Sequence, residues 1–212
     1  MSLICPKCKS TNIDQQRRMT GPIWCDDCGY RVEEKEKYNP FLERIQETIG
    51  AGKFLSLRNI DNWEFVERNN GNEVVNIIAQ TENGILLVEQ HRPAFNRSVI
   101  SLPGGLVADE DRNETVLKAA QKELLEETGY YSNDLVLLFG GPTSEGLTSE
   151  YVNFVLASHL RKKGDGGGIG DETILIHEVQ PQCLHDWMHT QIKNGKLVSP
   201  RVYIGLYVLK CE

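Results

Sequence analysis

Three glutamates with helical spacing carry the most specific chemistry in this sequence. Glu123, Glu126 and Glu127 stand at i, i+3 and i+4, so a helix would gather their carboxylates on one face. Like charges at this spacing destabilise a helix by roughly a few tenths of a kcal/mol per pair, and a divalent cation would offset the repulsion. Because the ligand atoms are all oxygen, we expect Mg²⁺ or Mn²⁺. The alternative is a solvated face, which a run of charges on a helix usually forms.

The segment that carries these acids has the signals of a helix. Asp111 and Glu114 have the D-x-x-E spacing of a capping box, and Gly129 is placed to adopt the left-handed conformation after the last turn. A buried apolar stripe is predicted on this helix: Leu117, Ala120 and Leu124. A loop containing glycine, Leu102-Pro103-Gly104-Gly105, precedes the helix.

This loop, helix and set of acids resemble the Nudix box of nucleoside diphosphate-X hydrolases. From Glu114 onward the spacing matches, except that Lys122 stands where the family usually has Arg. Lys122 would keep the positive charge but lose the planar fork of a guanidinium. Ala108 occupies the nominal Gly position of the box, and Gly105 lies nine residues before Glu114 where six are expected. We interpret the extra length as a three-residue loop insertion within Asp109–Arg112.

The resemblance implies an α+β fold, the Nudix α/β/α sandwich with a mixed sheet, and a metal-dependent hydrolase. It implies a set of catalytic Mg²⁺ or Mn²⁺ ligands with two supporting residues: Glu123, Glu126, Glu127 and the Gly104 carbonyl, supported by Lys122 and Glu114.

Several further segments resemble the ADP-ribose pyrophosphatase branch of that family, over most of residues 53–210. The resemblance implies that Trp63 stacks on adenine and Glu64 hydrogen-bonds its edge, with Arg68 nearby. It implies that Arg92 meets phosphate and that Glu150, on a loop, acts as a base near the metals. The alternatives are a half-buried strand aromatic, a solvated arginine and a solvated loop acid. Trp63 and Glu64 would point to opposite faces of a strand, and a homodimer in which this strand crosses to the partner's site would reconcile them.

Composition limits the possible partners. The chain has 212 residues with 40% hydrophobic content, enough to bury a full core, and its net charge of −7 disfavours nonspecific nucleic-acid binding. No apolar run approaches the ~20 residues that span a bilayer, and the N-terminal residues do not form a signal peptide. We therefore expect no membrane association and a cytoplasmic location.

Four cysteines near the N-terminus have the spacing of a zinc site. Cys5 and Cys8 form one CxxC pair, Cys25 and Cys28 form another, and sixteen residues separate the pairs. This pattern favours one tetrahedral Cys₄ site with structural Zn²⁺ and resembles a zinc ribbon. A redox CxxC pair is the alternative, but it needs a longer βαβ setting. The predicted domains are a zinc ribbon at 1–37 and a Nudix hydrolase domain at 38–212.

Periodicity and turn signals predict the remaining elements. A short helix is expected from Asn39-Pro40 to Gly50, and further helices over 182–193 and from Ser199-Pro200. Strands are expected over 53–58, 63–68, 73–80, 85–90, 134–139, 151–158 and 174–180. The turns at 69–72 and 82–84 indicate antiparallel hairpins, and the glycine run from Gly164 to Gly170 indicates a flexible loop.

These features together predict hydrolysis of the pyrophosphate bond of a nucleoside diphosphate-sugar, with ADP-ribose, cleaved to AMP and ribose 5-phosphate, as the leading substrate. NADH or another dinucleotide is the nearest alternative, but the S-Q-P-W-P-F-P-x-S element of NADH pyrophosphatases is absent after the box, where the chain reads Gly140-Gly141-Pro142-Thr143-Ser144. A noncatalytic nucleotide-sensing regulator with a binding zinc ribbon is the alternative from another class. Such proteins typically lose box acids, and this sequence keeps them.

Elemental analysis tests the zinc prediction directly. We expect about one Zn²⁺ per chain, and we expect Cys25→Ser to lower that content because a closed tetrahedral site needs all four thiolates. Cys183→Ser, outside the two CxxC pairs, is the matched control and should leave zinc content unchanged. Unchanged zinc in Cys25→Ser would contradict the assignment.

Overall fold

The computed structural model describes residues 47–71, 73–109, 111, 113–170 and 173–211. The predicted zinc ribbon, its cysteines and the first part of the expected helix at 39–50 lie outside these residues. Within the described residues, no helix combines the length and apolar character needed to cross a membrane.

The described chain contains twelve strands and three helices. The strands are β1 (Glu47–Ala51), β2 (Leu55–Ile60), β3 (Trp63–Arg68), β4 (Glu73–Thr81), β5 (Gly84–Arg92), β6 (Arg97–Ser101), β7 (Tyr130–Tyr131), β8 (Asp134–Pro142), β9 (Tyr151–Ser158), β10 (Arg161–Lys162), β11 (Leu175–Val179) and β12 (Leu197–Val198). The helices are α1 (Val116–Thr128), α2 (Leu184–Lys193) and α3 (Pro200–Cys211).

A mixed seven-stranded sheet forms the centre of the fold. Its order is β12-β6-β5-β4-β9-β8, with β11 paired to β5. β4 and β9 are parallel, as are β6 and β12, while the other pairs in this sheet are antiparallel. β1, β2 and β3 form a separate antiparallel sheet.

Helices cover both faces of the central sheet because its strands are apolar on both sides. Along β4, Val74 and Ile78 belong to one buried cluster, and Val75 and Ile77 to the other. The first cluster includes residues of α2 and α3: Leu184, Met188, Val202 and Leu206. The second includes residues of α1: Ala119, Ala120 and Leu124. The described residues therefore form an α/β/α sandwich with a mixed sheet, as the sequence predicted.

Helix α1 begins later than the capping-box prediction. Its N-cap is Thr115, whose hydroxyl accepts a hydrogen bond from the Lys118 amide at 3.4 Å. The capping-box prediction is wrong because the Glu114 carboxylate instead accepts from the Ala108 amide at 3.0 Å. Leu117 is 39% exposed, so the stripe reduces to Ala120 and Leu124. Gly129 has a φ of 72° at the C-cap, which confirms the predicted helix end.

The glycine run after β10 packs against the end of α1. The amides of Gly167 and Gly168 donate to the carbonyls of Glu127 and Glu126, at 2.9 and 3.1 Å. The Gly164 amide donates to the carbonyl at the helix cap, at 3.1 Å. These donors pair carbonyls that a helix end leaves without partners. The segment is a loop, as predicted, and these hydrogen bonds anchor it to the helix end.

Two other predictions fail where pairing partners decide the structure. The expected helix ending at Gly50 is wrong over its described part, because residues 47–51 form β1 and pair with β2. The 69–72 turn does not produce a hairpin, because β4 leaves the small sheet and pairs in parallel with β9. β6 was not predicted. The 82–84 turn does join an antiparallel pair, β4 and β5.

Two polar clusters join distant elements. Glu89 is buried, accepts a hydrogen bond from the Lys196 ammonium at 2.7 Å and contacts the His177 ring at 2.9 Å. Its burial alone would raise the pKa, but these hydrogen bonds and the Lys196 charge outweigh burial and hold the Glu89 pKa below its usual value. A hydrogen bond to Glu178 raises the pKa of Tyr130 to about 12. The first cluster fixes the start of the segment that leads into α3.

The glycine cap predicts unequal costs for two alanine substitutions. A Cβ at Gly166 would lie 2.4 Å from the Thr128 carbonyl carbon, whereas a Cβ at Gly170 meets nothing within 4 Å. Both residues have positive φ, 70° and 62°, so both substitutions carry left-handed strain. We expect Gly166→Ala to lower the free energy of unfolding by roughly 1–3 kcal/mol more than Gly170→Ala, measured by denaturant titration. Equal losses would mean that the loop does not pack on the helix end.

Candidate functional site

The loop after β6 approaches β4 so closely that it requires glycine. The amides of Val75 and Ile77 donate to the carbonyls of Gly105 and Pro103, at 2.9 and 2.8 Å. Gly104, between them, has a φ of 152°, and a Cβ there would lie 2.0 Å from the Val75 carbonyl oxygen. Because successive carbonyls of an extended segment point to opposite sides, the Gly104 carbonyl faces away from β4.

Two of the three predicted acids pack against this loop. Glu127 is 5% exposed, and its Oε2 accepts a hydrogen bond from the Gly104 amide at 2.8 Å. Glu123 lies beside Gly105, where a Cβ would come within 2.2 Å of its Oε1. Glu126 is half-buried on the same helix. Among the described residues, no group of three or more aspartate, glutamate, histidine or cysteine side chains is arranged to hold a metal ion without other ligands.

The supporting box residues hold the segment before the helix. Ala108, at the nominal Gly position of the box, has a φ of 61°, a left-handed conformation that glycine adopts without strain. Its amide donates to Glu114, which explains an acid at that position. The Lys122 ammonium lies 3.9 Å from Asp109, a residue of the proposed insertion. Lys122 therefore keeps an electrostatic role without the forked geometry of Arg.

A cavity of about 610 Å³ opens beside the loop and the helix. Carboxylates and guanidinium groups both line it: Asp109, Glu123, Glu127 and Glu150 with Arg68, Arg92 and Arg201. Four uncharged polar residues also line it: Asn76, Gln90, Ser101 and Ser199. The Arg92 guanidinium donates to Gln90 at 2.7 Å. A cavity lined by both carboxylates and arginines suits a metal-bound phosphate ligand.

Glu150 lies between two arginines. Its Oε2 accepts from Arg68 at 2.7 and 3.0 Å, and its Oε1 lies 3.5 Å from Arg201. The loop that carries Glu150 is docked on β3, since the Val66 amide donates to Leu147 at 2.8 Å. Both carboxylate oxygens of Glu150 therefore have guanidinium partners.

Trp63 and Glu64 stand apart from the cavity of their own chain. Trp63 is 60% exposed, Glu64 is also exposed, and neither is part of the cavity lining. Arg68, at the opposite end of β3, does line the cavity. Five residue steps separate Trp63 from Arg68, or about 17 Å of extended strand. The structure thus brings Arg68, Arg92, Glu123, Glu127 and Glu150 together in the cavity lining. Glu126 and the predicted adenine contacts are not part of that lining.

The cavity residues fit a divalent cation that is bound jointly by the protein and by the substrate. Mg²⁺ usually takes one or two carboxylates and completes its octahedron with water and substrate phosphates, so a complete protein cage is unnecessary. Glu123, Glu127 and Gly104 all line the cavity. Their oxygen atoms are hard donors of the kind that Mg²⁺ and Mn²⁺ prefer.

Sequence reasoning missed two charged residues of the cavity, Asp109 and Arg201. Asp109 lies in the segment that we interpreted only as inserted length. Arg201 follows the predicted Ser199-Pro200 helix start, and a cation in the first turn of a helix is electrostatically unfavourable. That conflict was the available signal that Arg201 has a role other than helix stability.

Comparisons with known proteins agree with this geometry. A family model described as NUDIX domain matches residues 70–188. The chain is 32% identical over 135 residues to the methanol dehydrogenase activator of Bacillus methanolicus, covering 62% of this chain and 71% of that protein. It is 32% identical over 127 residues to the ADP-ribose pyrophosphatase of Bacillus subtilis (strain 168), covering 54% and 67%. It is 31% identical over 150 residues to a GDP-mannose pyrophosphatase of Klebsiella pneumoniae, covering 66% and 73%.

A solved structure shares the fold. The crystal structure of an ADP compounds hydrolase superposes with a TM-score of 0.62 at 20% identity, covering 78% of this chain and 90% of that one. The family model extends from β4 into α2. This range includes the loop of Pro103, Gly104 and Gly105, the acids of α1, and Glu150. On the combined evidence of the matched residues, the fold and the site, the chain belongs to the NUDIX domain family and is a Nudix hydrolase.

Proposed function

We propose that this Nudix hydrolase cleaves the pyrophosphate bond of ADP-ribose, giving AMP and ribose 5-phosphate. The observation that carries the proposal is the cavity in which Glu123 and Glu127 share one space with Arg68, Arg92 and Arg201. A diphosphate substrate needs both carboxylates and arginines. The carboxylates bind the metal ion that accompanies the diphosphate, and the arginines bind the phosphate oxygens that the metal leaves free. The likeness to ADP-ribose and GDP-mannose pyrophosphatases supports a nucleoside diphosphate-sugar as the substrate class.

The metal ligands in this proposal are Glu123, Glu126, Glu127 and the Gly104 carbonyl. When bound, Mg²⁺ or Mn²⁺ supplies charge neutralisation of the diphosphate and a lower pKa for coordinated water. The chain's own contribution is to orient the ligands. The Gly104 amide fixes Glu127, and the Cα of Gly105 leaves room for the Glu123 carboxylate.

The arginines and Glu150 complete the reaction site. Arg68 and Arg92 bind phosphate oxygens while water adds to one phosphorus and the bridging P–O bond breaks. Cleavage consumes one water. The phosphate that is attacked gains the oxygen of that water, and the other phosphate leaves with the former bridging oxygen. Glu150 takes the water proton in this proposal, and to do so it must exchange a guanidinium contact for the water.

The adenine contacts are proposed to come from a second copy of the chain. Trp63 and Glu64 are exposed and lie at the end of β3 away from their own cavity. A homodimer that places this end of β3 at the partner's site supplies an aromatic surface for the base. The N-terminal Cys₄ zinc ribbon is proposed as a structural unit, and a cytoplasmic location remains our expectation.

Hydrolysis with Mg²⁺ of a panel of substrates tests the assignment. ADP-ribose, GDP-mannose, NADH and a dinucleoside polyphosphate separate the proposal from its rivals. Preferred cleavage of ADP-ribose supports it, whereas preference for NADH or GDP-mannose would replace the substrate. Nucleotide binding without cleavage of any of the four would favour the noncatalytic regulator.

Glu127→Gln should remove most turnover. The substitution keeps the shape of the side chain but removes the charge that a cation needs, so we expect kcat to fall by about 100-fold or more at saturating Mg²⁺. Glu82→Gln, on an exposed turn outside the cavity, is the matched control and should retain turnover. Thermal denaturation should show both variants folded. A Glu127→Gln enzyme of nearly unchanged kcat would exclude Glu127 as a metal ligand.

Trp63→Ala tests the base contact. Stacking on an aromatic ring is worth roughly 1–3 kcal/mol per base, so we expect KM for ADP-ribose to rise about tenfold or more while the Mg²⁺ dependence stays unchanged. Phe54→Ala, another exposed aromatic of the N-terminal part, is the control for general surface effects. If Trp63→Ala and Phe54→Ala have the same KM as the unmodified enzyme, Trp63 makes no substrate contact.

A further inference from the structure

The contact of Arg201 with Glu150 is weaker than the contact of Arg68 with the same carboxylate. Arg68 donates twice to Glu150, at 2.7 and 3.0 Å, whereas the Arg201 contact is a single one at 3.5 Å. Among the described residues, Glu150 is the ion-pair partner that the structure gives Arg201. A guanidinium has five N–H donors in a fixed fork, so Arg201 keeps donors for a further ligand.

The fold fixes the position of Arg201 from its backbone. β12 pairs in parallel with β6, and the Ser199 amide donates to the Ile100 carbonyl at 2.8 Å. The Arg201 amide then donates to the Ser199 hydroxyl at 3.3 Å as α3 begins. The Lys196 pair with buried Glu89 secures the preceding segment. Arg201 is therefore carried on a rigid element beside the site.

Arg201 has no evident role in stabilising its own helix. It occupies the first turn of α3, where the helix dipole disfavours a positive charge. An anion bound nearby would reverse that penalty, because both the dipole and the guanidinium favour negative charge. Glu150 pairs with both Arg68 and Arg201, and its single negative charge neutralises only part of their two positive charges.

The side chain also lies at a boundary between two cavities. Arg201 lines the polar cavity of Glu123 and Glu127 and an adjoining apolar cavity of about 650 Å³. Phe95, Val99 and Ser199 line both cavities as well. Arg201 thus lies where the two cavities meet and lines the polar cavity, in which a phosphate would bind.

We propose that Arg201 is a diphosphate-binding residue of this site, which Glu150 holds in place until a phosphate takes over its guanidinium. The inference rests on the proposed function for the reaction and adds a residue outside the 70–188 family match. Arg68 retains its two bonds to Glu150, while Arg201 exchanges its longer contact for a phosphate oxygen.

Calorimetric binding of methylenediphosphonate in the presence of Mg²⁺ tests this proposal, because the probe carries two phosphonates without a base or sugar. We expect Arg201→Ala to raise its Kd about tenfold or more and to weaken its salt dependence. Arg201→Lys should be intermediate, since it keeps the charge and loses the fork. Arg161→Ala, an exposed arginine outside both cavities, is the matched control and should bind as the unmodified chain does.

A double-mutant cycle separates binding from positioning. If Arg201 contacts phosphate itself, Arg201→Ala should weaken binding in a Glu150→Gln background as well. If its effect disappears in that background, Arg201 acts only through Glu150 and the proposal is overturned. Melting temperatures of all variants check that each binding change comes from a folded protein.

The outcomes for this inference and for the proposed function are distinct. Arg201-dependent probe binding without hydrolysis of any nucleoside diphosphate-sugar would overturn the function and leave the inference standing. Hydrolysis of ADP-ribose together with unchanged probe binding in Arg201→Ala would overturn the inference alone. Failure of the unmodified chain to bind the probe with Mg²⁺ would overturn the inference too.

Discussion

The hydrogen bond from the Gly104 amide to the buried Glu127 carboxylate joins the two halves of the site, the loop after β6 and the helix α1. A buried carboxylate needs such a partner because desolvation of a charge costs several kcal/mol. The contact is possible only because Gly104 and Gly105 bring the loop backbone against β4 and α1 at distances that a Cβ would block. The glycine loop at 164–168 secures this same C-terminal end of the helix by pairing the carbonyls of Glu126 and Glu127.

The charged residues of the site come from elements that are far apart in the sequence. Asp109, Glu123 and Glu127 come from helix α1 and the loop before it, and Glu150 from the loop before β9. The arginines come from three other elements: Arg68 from β3, Arg92 from β5 and Arg201 from α3. Glu150 connects two of these arginines and so links the small N-terminal sheet to the last helix. This arrangement keeps acids and cations in one cavity, where a metal and a phosphate ligand would each find partners of opposite charge.

Hydrophobic periodicity and turn residues predicted the structure best where the signal lies within a single helix or strand. The helix that ends at Gly129 and all seven expected strands, which correspond to β2, β3, β4, β5, β8, β9 and β11, follow from periodicity and turn residues within short windows of the chain. Elements defined by a partner were missed or mistaken. Residues 47–51 have helix-like apolar spacing into Ile49 yet pair with β2, and the 69–72 turn does not close a hairpin because β4 pairs with β9.

The sequence by itself predicted Glu123, Glu126, Glu127, Gly104 and Glu114 as site residues, because their spacing along one loop and helix is a local property. Of these, Gly104, Glu123 and Glu127 line the cavity. The sequence also identified Ala108 at the glycine position of the box, where the chain has positive φ. Only the tertiary structure decided that Arg201 and Asp109 line the cavity, that Glu150 is paired with two arginines, and that Trp63 lies away from its own chain's site. Arg68 and Glu150 are 82 residues apart, and no periodicity encodes a contact at that separation; sheet pairing and packing create it.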